Sequence, residues 1–170
     1  TGSGAFQLGT LPVRVNAASL VHNAANTSFD LNVTSIDFPI WTGARSNEWS
    51  NTILASPKNW VLNSNNATTT DFLANDNATF TDIATRTTVD ISVTDVVPAS
   101  VIFNNTTKDF TITGVRAITG VGGLTKKGTG KVTIENTNTF TGPVTLNAGT
   151  LSVYELGDAT FPSGIGAGDN

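Results

Sequence analysis

Short segments of alternating apolar and polar residues return at a regular spacing through the second half of this 170-residue chain. Alternation of this kind over four to eight residues indicates half-buried β-strands. The strand centres fall near 102, 111, 124, 133, 145 and 152, so they form pairs, and each pair follows the previous one after about 20 residues. A repeat of this length is typical of solenoids, in which each repeat buries its apolar face only against its neighbours.

The sequence allows two alignments of the repeat with itself, which we call its two phases. In one phase, Leu124–Thr129 is equivalent to Val144–Thr150. In the other, Val101–Gly114 is equivalent to Val132–Gly142, because both segments hold Asn-Thr before Phe-Thr and then Gly. The residues alone leave open which phase corresponds to the spatial stack.

The composition favours strands and turns over helices. The chain has 29 Thr and 18 Asn, and only 13% of its residues are charged. Thr suits strands because its branched Cβ packs well on a pleated surface, whereas Asn and Gly suit turns. We therefore predict an all-β protein with a parallel β-helix (β-solenoid), and an antiparallel β-sandwich as the alternative. One short helix is also expected over residues 12–26, where Val13, Ala17, Leu20 and Val21 form a weak helical stripe.

The charge and the absence of cysteine exclude several functions. The net charge is −4, and the Lys and Arg residues number only 9, too few and too scattered for a nucleic-acid or anionic membrane surface. There is no Cys, which excludes thiolate catalysis and zinc–thiolate sites. No run of about 18 apolar residues is present. We expect no nucleic-acid partner, no membrane insertion by this segment, no metal site and no cofactor.

Residues near the C-terminal end form a specific pattern. It begins with Gly122-Gly123-Leu124, continues with Lys126-x-Gly128-x-Gly130 and an apolar strand, and closes with Gly149-Thr150-Leu151. In this pattern, residues 120–153 closely resemble the autotransporter-associated β-strand repeat, also called the passenger-associated transport repeat.

This resemblance implies an exported structural protein. The family implies a right-handed β-helical stalk or passenger at, or released from, the outer surface of a Gram-negative bacterium, and it does not imply catalysis. The region around Trp41, Trp49 and Trp60 is loosely similar to the part that precedes such repeats in large surface proteins. We therefore expect a segment of a longer chain with four regions: an N-terminal strand or capping segment (1–40), a Trp-containing β region (41–118), the repeat (119–156) and a connector to a further repeat (157–170).

The leading functional hypothesis is a non-enzymatic structural module of an extracellular β-solenoid. It would serve as a surface stalk, passenger or adhesin segment, with neighbouring repeats of the same chain as its partners. The alternative is a carbohydrate-binding module, in which Trp41, Trp49 and Trp60 stack on polysaccharides or cell-surface glycans. A hydrophobic plug is the competing interpretation of these three rings. A polysaccharide-active enzyme on the same scaffold is the third hypothesis.

The remaining residues that could carry chemistry form no motif. His22 is the single His, and no Ser and Asp stand at a spacing typical of a catalytic triad, so we interpret it as a surface residue. Asp71, Asp76 and Asp82 lie in an Asn-rich region whose oxygens would suit Ca²⁺. Because no known calcium-binding repeat is present, solvated loops are the preferred interpretation. The sequence therefore assigns no catalytic residue and no metal ligand.

Overall fold

The computed structural model describes residues 8–10, 14–25, 28–158 and 160–168. Regular structure in these ranges is entirely β, and none of them holds a helix that could cross a lipid bilayer. The chain divides into two compact units, Thr1–Phe38 and Pro39–Asn170. The boundaries expected after residues 40, 118 and 156 stay predictions.

The strands are β1 (Val15–Asn23), β2 (Ser28–Ile36), β3 (Pro39–Trp41), β4 (Trp60–Leu62), β5 (Thr69–Thr70), β6 (Asn77–Thr81), β7 (Thr88–Asp90), β8 (Ser100–Asn104), β9 (Phe110–Thr113), β10 (Gly123–Lys126), β11 (Lys131–Ile134), β12 (Val144–Leu146) and β13 (Thr150–Val153).

The first unit contains an antiparallel hairpin of β1 and β2. Leu20 pairs with Leu31, and His22 pairs with Phe29, so apolar side chains meet across the two strands. The helix expected over residues 12–26 is therefore wrong in its described part, where residues 15–23 form β1. The physical reason is the partner strand: β2 alternates strongly and offers a long ladder, whereas the helical stripe is too weak to be stabilised by packing. Residues 12, 13 and 26 lie outside the described residues.

The second unit is a β-solenoid of about three turns. Wall 1 stacks β3, β6, β8, β10 and β12 as parallel neighbours, and wall 2 stacks β7, β9, β11 and β13 in the same way. Wall 3 is less regular, and Val96 and Ile118 form an isolated parallel bridge in it. The predicted parallel β-helix is confirmed, and the antiparallel β-sandwich is not formed by the described residues of this unit.

The register of wall 1 decides between the two phases of the repeat. Val101 pairs with Ala78 and with Leu124, and Leu124 pairs with Val144. The stack therefore follows the phase of about 20 residues rather than the one that aligns Val101 with Val132. The same phase holds in wall 2, where Ile134 lies between Ile112 and Val153.

The core of the solenoid consists of columns of inward side chains, one from each rung. Alternate residues of each strand point inward, so residues paired between rungs lie in the same column. A rung buries its apolar residues only when rungs cover it on both sides. The columns of walls 1 and 2 are Ala78–Val101–Leu124–Val144, Trp41–Phe80–Phe103–Lys126–Leu146, Phe110–Val132–Leu151 and Val89–Ile112–Ile134–Val153.

These columns predict the order of mutational costs. Leu124→Ala and Ile134→Ala should each lower the free energy of unfolding by about 2–5 kcal/mol, because both side chains are fully buried and leave cavities. Leu151→Ala should cost less, since Leu151 is only partly buried. Thr133→Ala, which removes an outward side chain, should cost under about 1 kcal/mol. Denaturant unfolding measures all four, and a Thr133→Ala cost at or above that of Leu124→Ala would contradict the inward assignment.

Candidate functional site: the closed end and the repeat

The three tryptophans lie together at the start of the solenoid. Trp41 belongs to β3, Trp60 belongs to β4, and Trp49 lies in the loop that forms the first rung of wall 2. That rung is held by two backbone hydrogen bonds with Asp90, to Asn47 O at 2.7 Å and from Trp49 N at 2.9 Å. Register brings Trp41 and Trp60 side by side across the antiparallel β3–β4 pair.

The tryptophan rings form one buried cluster with Phe72 and Phe80. Trp41 and Trp60 meet edge-on with ring centroids 5.1 Å apart, and Trp49 lies 5.4 Å from Phe72 and 5.2 Å from Phe80. Phe80 then stacks on Phe103 in the next rung at 4.7 Å. Edge-to-face and offset arrangements at these separations are favourable for aromatic pairs. The aromatic cluster therefore fills the first rungs of the interior.

The burial of the three tryptophans bears on whether they stack on glycans or form a hydrophobic plug. The exposed fractions of Trp41, Trp49 and Trp60 are 0%, 0% and 2%. Stacking on a sugar requires an open ring face, and none of these rings has one in this arrangement. The geometry is that of a hydrophobic plug, and glycan stacking on these rings stays a prediction for titration to test.

Backbone and side-chain hydrogen bonds hold the plug in place. The indole N–H of Trp41 donates to the carbonyl of Arg86 at 2.8 Å. Asn59 is fully buried: its Oδ1 accepts from the backbone N–H groups of Arg45 (3.0 Å) and Ser46 (2.8 Å), and its Nδ2 donates to the carbonyl of Glu48 (2.8 Å). Asn59 thereby fixes the loop that carries Trp49. Sequence analysis assigned this residue no role, because a single Asn in an Asn-rich chain does not reveal its hydrogen-bond partners.

The antiparallel strands β4 and β5 close this end of wall 1. β4 pairs with β3 on the side opposite β6, and β5 pairs with β4. Since β4 occupies that edge of β3, an earlier parallel coil cannot stack there. The solenoid therefore begins with a cap of its own chain, which we call the closed end (β3–β5 with the aromatic cluster).

The acidic residues considered for Ca²⁺ serve the backbone instead. Asp71 forms an ion pair with Lys58 and accepts from the N–H of Leu54 at 3.0 Å, and Asp76 accepts from the N–H of Leu73 at 2.8 Å. Asp82 accepts from the N–H groups of residues 106, 107 and 108 in the following rung. In the described part of the chain, no three His, Asp or Glu side chains form a group that could hold a metal ion.

Opposing effects act on the pKa of Asp82. Partial burial raises it, but the hydrogen bonds from the backbone N–H groups of Thr106, Thr107 and Lys108 outweigh burial, so the pKa lies below its usual value of 3.8. The carboxylate is therefore ionised at neutral pH and links two rungs.

His22 is exposed on β1 beside Phe29, with ring centroids 5.1 Å apart, in agreement with its interpretation as a surface residue.

Lys126 is the buried charged residue of the repeat. It points inward in the same column as Phe103, is fully buried, and its ammonium donates to the carbonyl of Gly128. Burial lowers the pKa of Lys126, and the carboxylates of Asp109 and Asp82 offset this in part. Its aliphatic stem continues the apolar column while its charged end reaches the turn.

The glycines of the repeat make room for this arrangement. A Cβ on Gly128 would lie 2.0 Å from the carbonyl oxygen of Asn105 in the preceding rung. A Cβ on Gly149 would lie 2.5 Å from the carbonyl oxygens of Gly128 and Gly130 and 2.8 Å from Lys126 Nζ, and Gly149 has a φ of +76°. The Lys-x-Gly-x-Gly and Gly-Thr-Leu motifs thus describe one corner where consecutive rungs touch through backbone atoms.

These features define a β-solenoid with one closed end and a glycine-rich corner. In a comparison with protein families, residues 124–153 match the model described as Passenger-associated-transport-repeat, which confirms the resemblance inferred from the sequence. The match runs from β10 to the end of β13, so it covers one complete turn and both strands of the next. Neither curated proteins nor solved structures give a significant match to the chain.

Burial of Lys126 predicts a pH-dependent stability. Because its pKa in the folded chain is lowered, the unfolded chain binds more protons between that lowered pKa and 10.5, so stability rises with pH in this window. Lys126→Met keeps the apolar stem and removes the titration. The difference in free energy of unfolding, variant minus wild type, should therefore decrease as pH rises towards 10.5, measured by denaturant unfolding at stepped pH. Lys127→Met, at a neighbouring exposed position, is the control, and a parallel pH dependence in wild type and Lys126→Met would contradict the prediction.

Proposed function

We propose that this chain is a non-enzymatic structural module of an extracellular bacterial β-solenoid: a stalk, passenger or adhesin segment at the outer surface of a Gram-negative bacterium. The passenger-associated repeat and the solenoid fold fit an extracellular passenger or structural module. The observation that carries the proposal is the continuous register of walls 1 and 2, in which every rung from β6 to β13 covers the one before it.

The outward surface suits a soluble rod of low charge. On wall 2 a hydroxyl column runs outward through Thr88, Thr111, Thr133 and Ser152. Neighbouring members lie about 4.8 Å apart, the spacing of paired strands. Neutral hydroxyl and amide groups keep such a face hydrated without the repulsion that a column of like charges would produce. The outward face of wall 2 is therefore polar and carries little charge.

The use of the acidic residues also supports a structural role. Asp95 accepts from the N–H of Ala117 at 3.0 Å and Asp109 accepts from the N–H of Lys131 at 2.7 Å, each one rung further along the chain. Asp82 does the same towards residues 106–108. A glycosidase needs two carboxyl groups facing one substrate bond. Here the carboxylates instead satisfy backbone donors between rungs.

A glycan titration tests this proposal against carbohydrate binding and polysaccharide cleavage. With a panel of polysaccharides, we expect no saturable change in tryptophan fluorescence, because the indole rings are enclosed. We also expect no release of reducing sugar, with or without Ca²⁺, because the carboxylates of Asp82, Asp95 and Asp109 bind backbone N–H groups. Turnover that a single Asp→Asn substitution abolishes would refute the non-enzymatic assignment.

If a glycan does bind, two variants show whether it contacts the buried tryptophan cluster or the exposed ring of Tyr154. A saturable signal lost in Trp49→Phe with an unchanged melting curve would favour the carbohydrate-binding alternative. Tyr154→Ser is the matched control for an open ring, since Tyr154 is 85% exposed and lies outside the cluster.

A further inference from the structure

The turns that join wall 1 to wall 2 carry more positive than negative charge. Together with the first residue of β11 they hold Arg86, Lys108, Lys127 and Lys131 against Asp82 and Asp109. Arg86, Lys127 and Lys131 are exposed, and Lys108 is half-buried. Both acidic residues already accept hydrogen bonds from backbone N–H groups of the next rung. We call this side of wall 2, which coincides with the glycine-rich corner, the basic corner.

The turns that join wall 2 to wall 3 carry the opposite charge. Together with the last residue of β7 they hold Asp90, Asp95, Glu135, Glu155 and Asp158 against one basic residue, Arg116. Asp90 is half-buried, and the other four acidic residues are exposed. Tyr154 and Leu156 are exposed on either side of Glu155 in the last of these turns. We call this side of wall 2 the acidic corner.

Wall 2 separates the two corners. Each of its strands begins at the basic corner and ends at the acidic corner, and the neutral hydroxyl column lies between them. A strand of four residues, such as β9 or β11, spans about 13 Å. This exceeds the Debye length of about 8 Å at physiological ionic strength, so the two corners of one chain do little to neutralise each other. Wall 2 therefore presents a positive border, a neutral centre and a negative border.

A second copy of the chain supplies the complement of this pattern. If two wall 2 faces meet with their stacks parallel, a two-fold axis along the stacks sets each basic corner opposite the partner's acidic corner. If the stacks run antiparallel, each corner meets its own charge. Opposite charges across an interface favour association, whereas like charges oppose it. A basic partner would complement only the acidic corner, and an acidic partner only the basic one. A second copy complements both in a closed two-fold contact.

We infer from this arrangement that wall 2 is a pairing surface for a second copy of the chain, with the two solenoids parallel. The inference goes beyond the proposed structural function by naming a partner and the face that binds it.

The size of the face determines how strong the pairing can be. The four strands of wall 2, about 4.8 Å apart and about 13 Å long, cover roughly 250 Å² before the turns are counted. Stable interfaces bury about 800 Å² on each partner. The pairing is therefore weak and depends on the corner charges. Sedimentation should show dimers at an ionic strength of about 0.01 M, with a dissociation constant at least about tenfold higher near 1 M, where the Debye length is only about 3 Å.

Charge reversal at exposed positions tests the pairing in the full chain. Lys127→Glu with Lys131→Glu makes the basic corner acidic, whereas Glu135→Lys with Glu155→Lys and Asp158→Lys makes the acidic corner basic. Each variant alone should stay monomeric at low ionic strength, and an equimolar mixture of the two should form heterodimers. Lys127→Arg with Lys131→Arg keeps the charge, so this matched control should pair as the wild type does. Thermal melting followed by circular dichroism verifies that each variant folds.

Several results would overturn the inference. A wild-type chain that sediments as a monomer at low ionic strength and about 1 mM, or a dimer that salt does not weaken, would show that the corners do not pair. Dimers of a reversed variant alone, or a mixture without heterodimers, would place the contact elsewhere. A monomeric wild type that binds oligolysine at the acidic corner would assign that corner to a basic partner instead. The proposed structural function is tested separately, by the glycan and turnover assays.

Discussion

Backbone hydrogen bonding between successive parallel rungs is the interaction on which the rest of this structure depends. It sets the register that places Leu124 between Val101 and Val144, and that register in turn builds the apolar columns. A single turn of the chain cannot enclose its inward side chains, so each rung is stabilised only when its neighbours are present. Burial is therefore complete in the middle of the stack and incomplete at the last rung.

The two ends express this constraint in opposite ways. At the closed end, β4 and β5 run antiparallel and the aromatic rings fill the interior, which replaces the covering that an earlier coil would supply. At the last rung, Leu146 is exposed, and Leu151 and Val153 are only partly buried. The matched repeat, residues 124–153, ends at this last rung rather than at the plug.

Much of the second unit could be predicted from local patterns. Period-two alternation marked β8 to β13, and their spacing indicated the solenoid, because both properties are local to each turn. The phase could not be predicted, since the resemblance of Val101–Gly114 to Val132–Gly142 competes with the true register and only spatial pairing decides. The helix expected over residues 12–26 was wrong for a similar reason: its described part is a strand held by a distant partner, β2.

Burial of Lys126 was also missed, although its position two residues after Leu124 places it on the inward face. The tryptophans were recognised as a group, but the hydrogen bonds by which Asn59 fixes the loop around them depend on contacts that the sequence does not show.

Disulfide trapping tests the parallel register most directly, because the natural chain has no cysteine. Thr111 and Thr133 are outward partners on neighbouring strands of wall 2, which brings their Cα atoms within disulfide range. Thr111→Cys with Thr133→Cys should therefore cross-link in the folded monomer under mild oxidation. Ile102→Cys with Thr133→Cys, which follows the competing phase, should not, since Ile102 lies in wall 1 beside Thr125. Cross-linking of the second pair in place of the first would contradict the stacked solenoid.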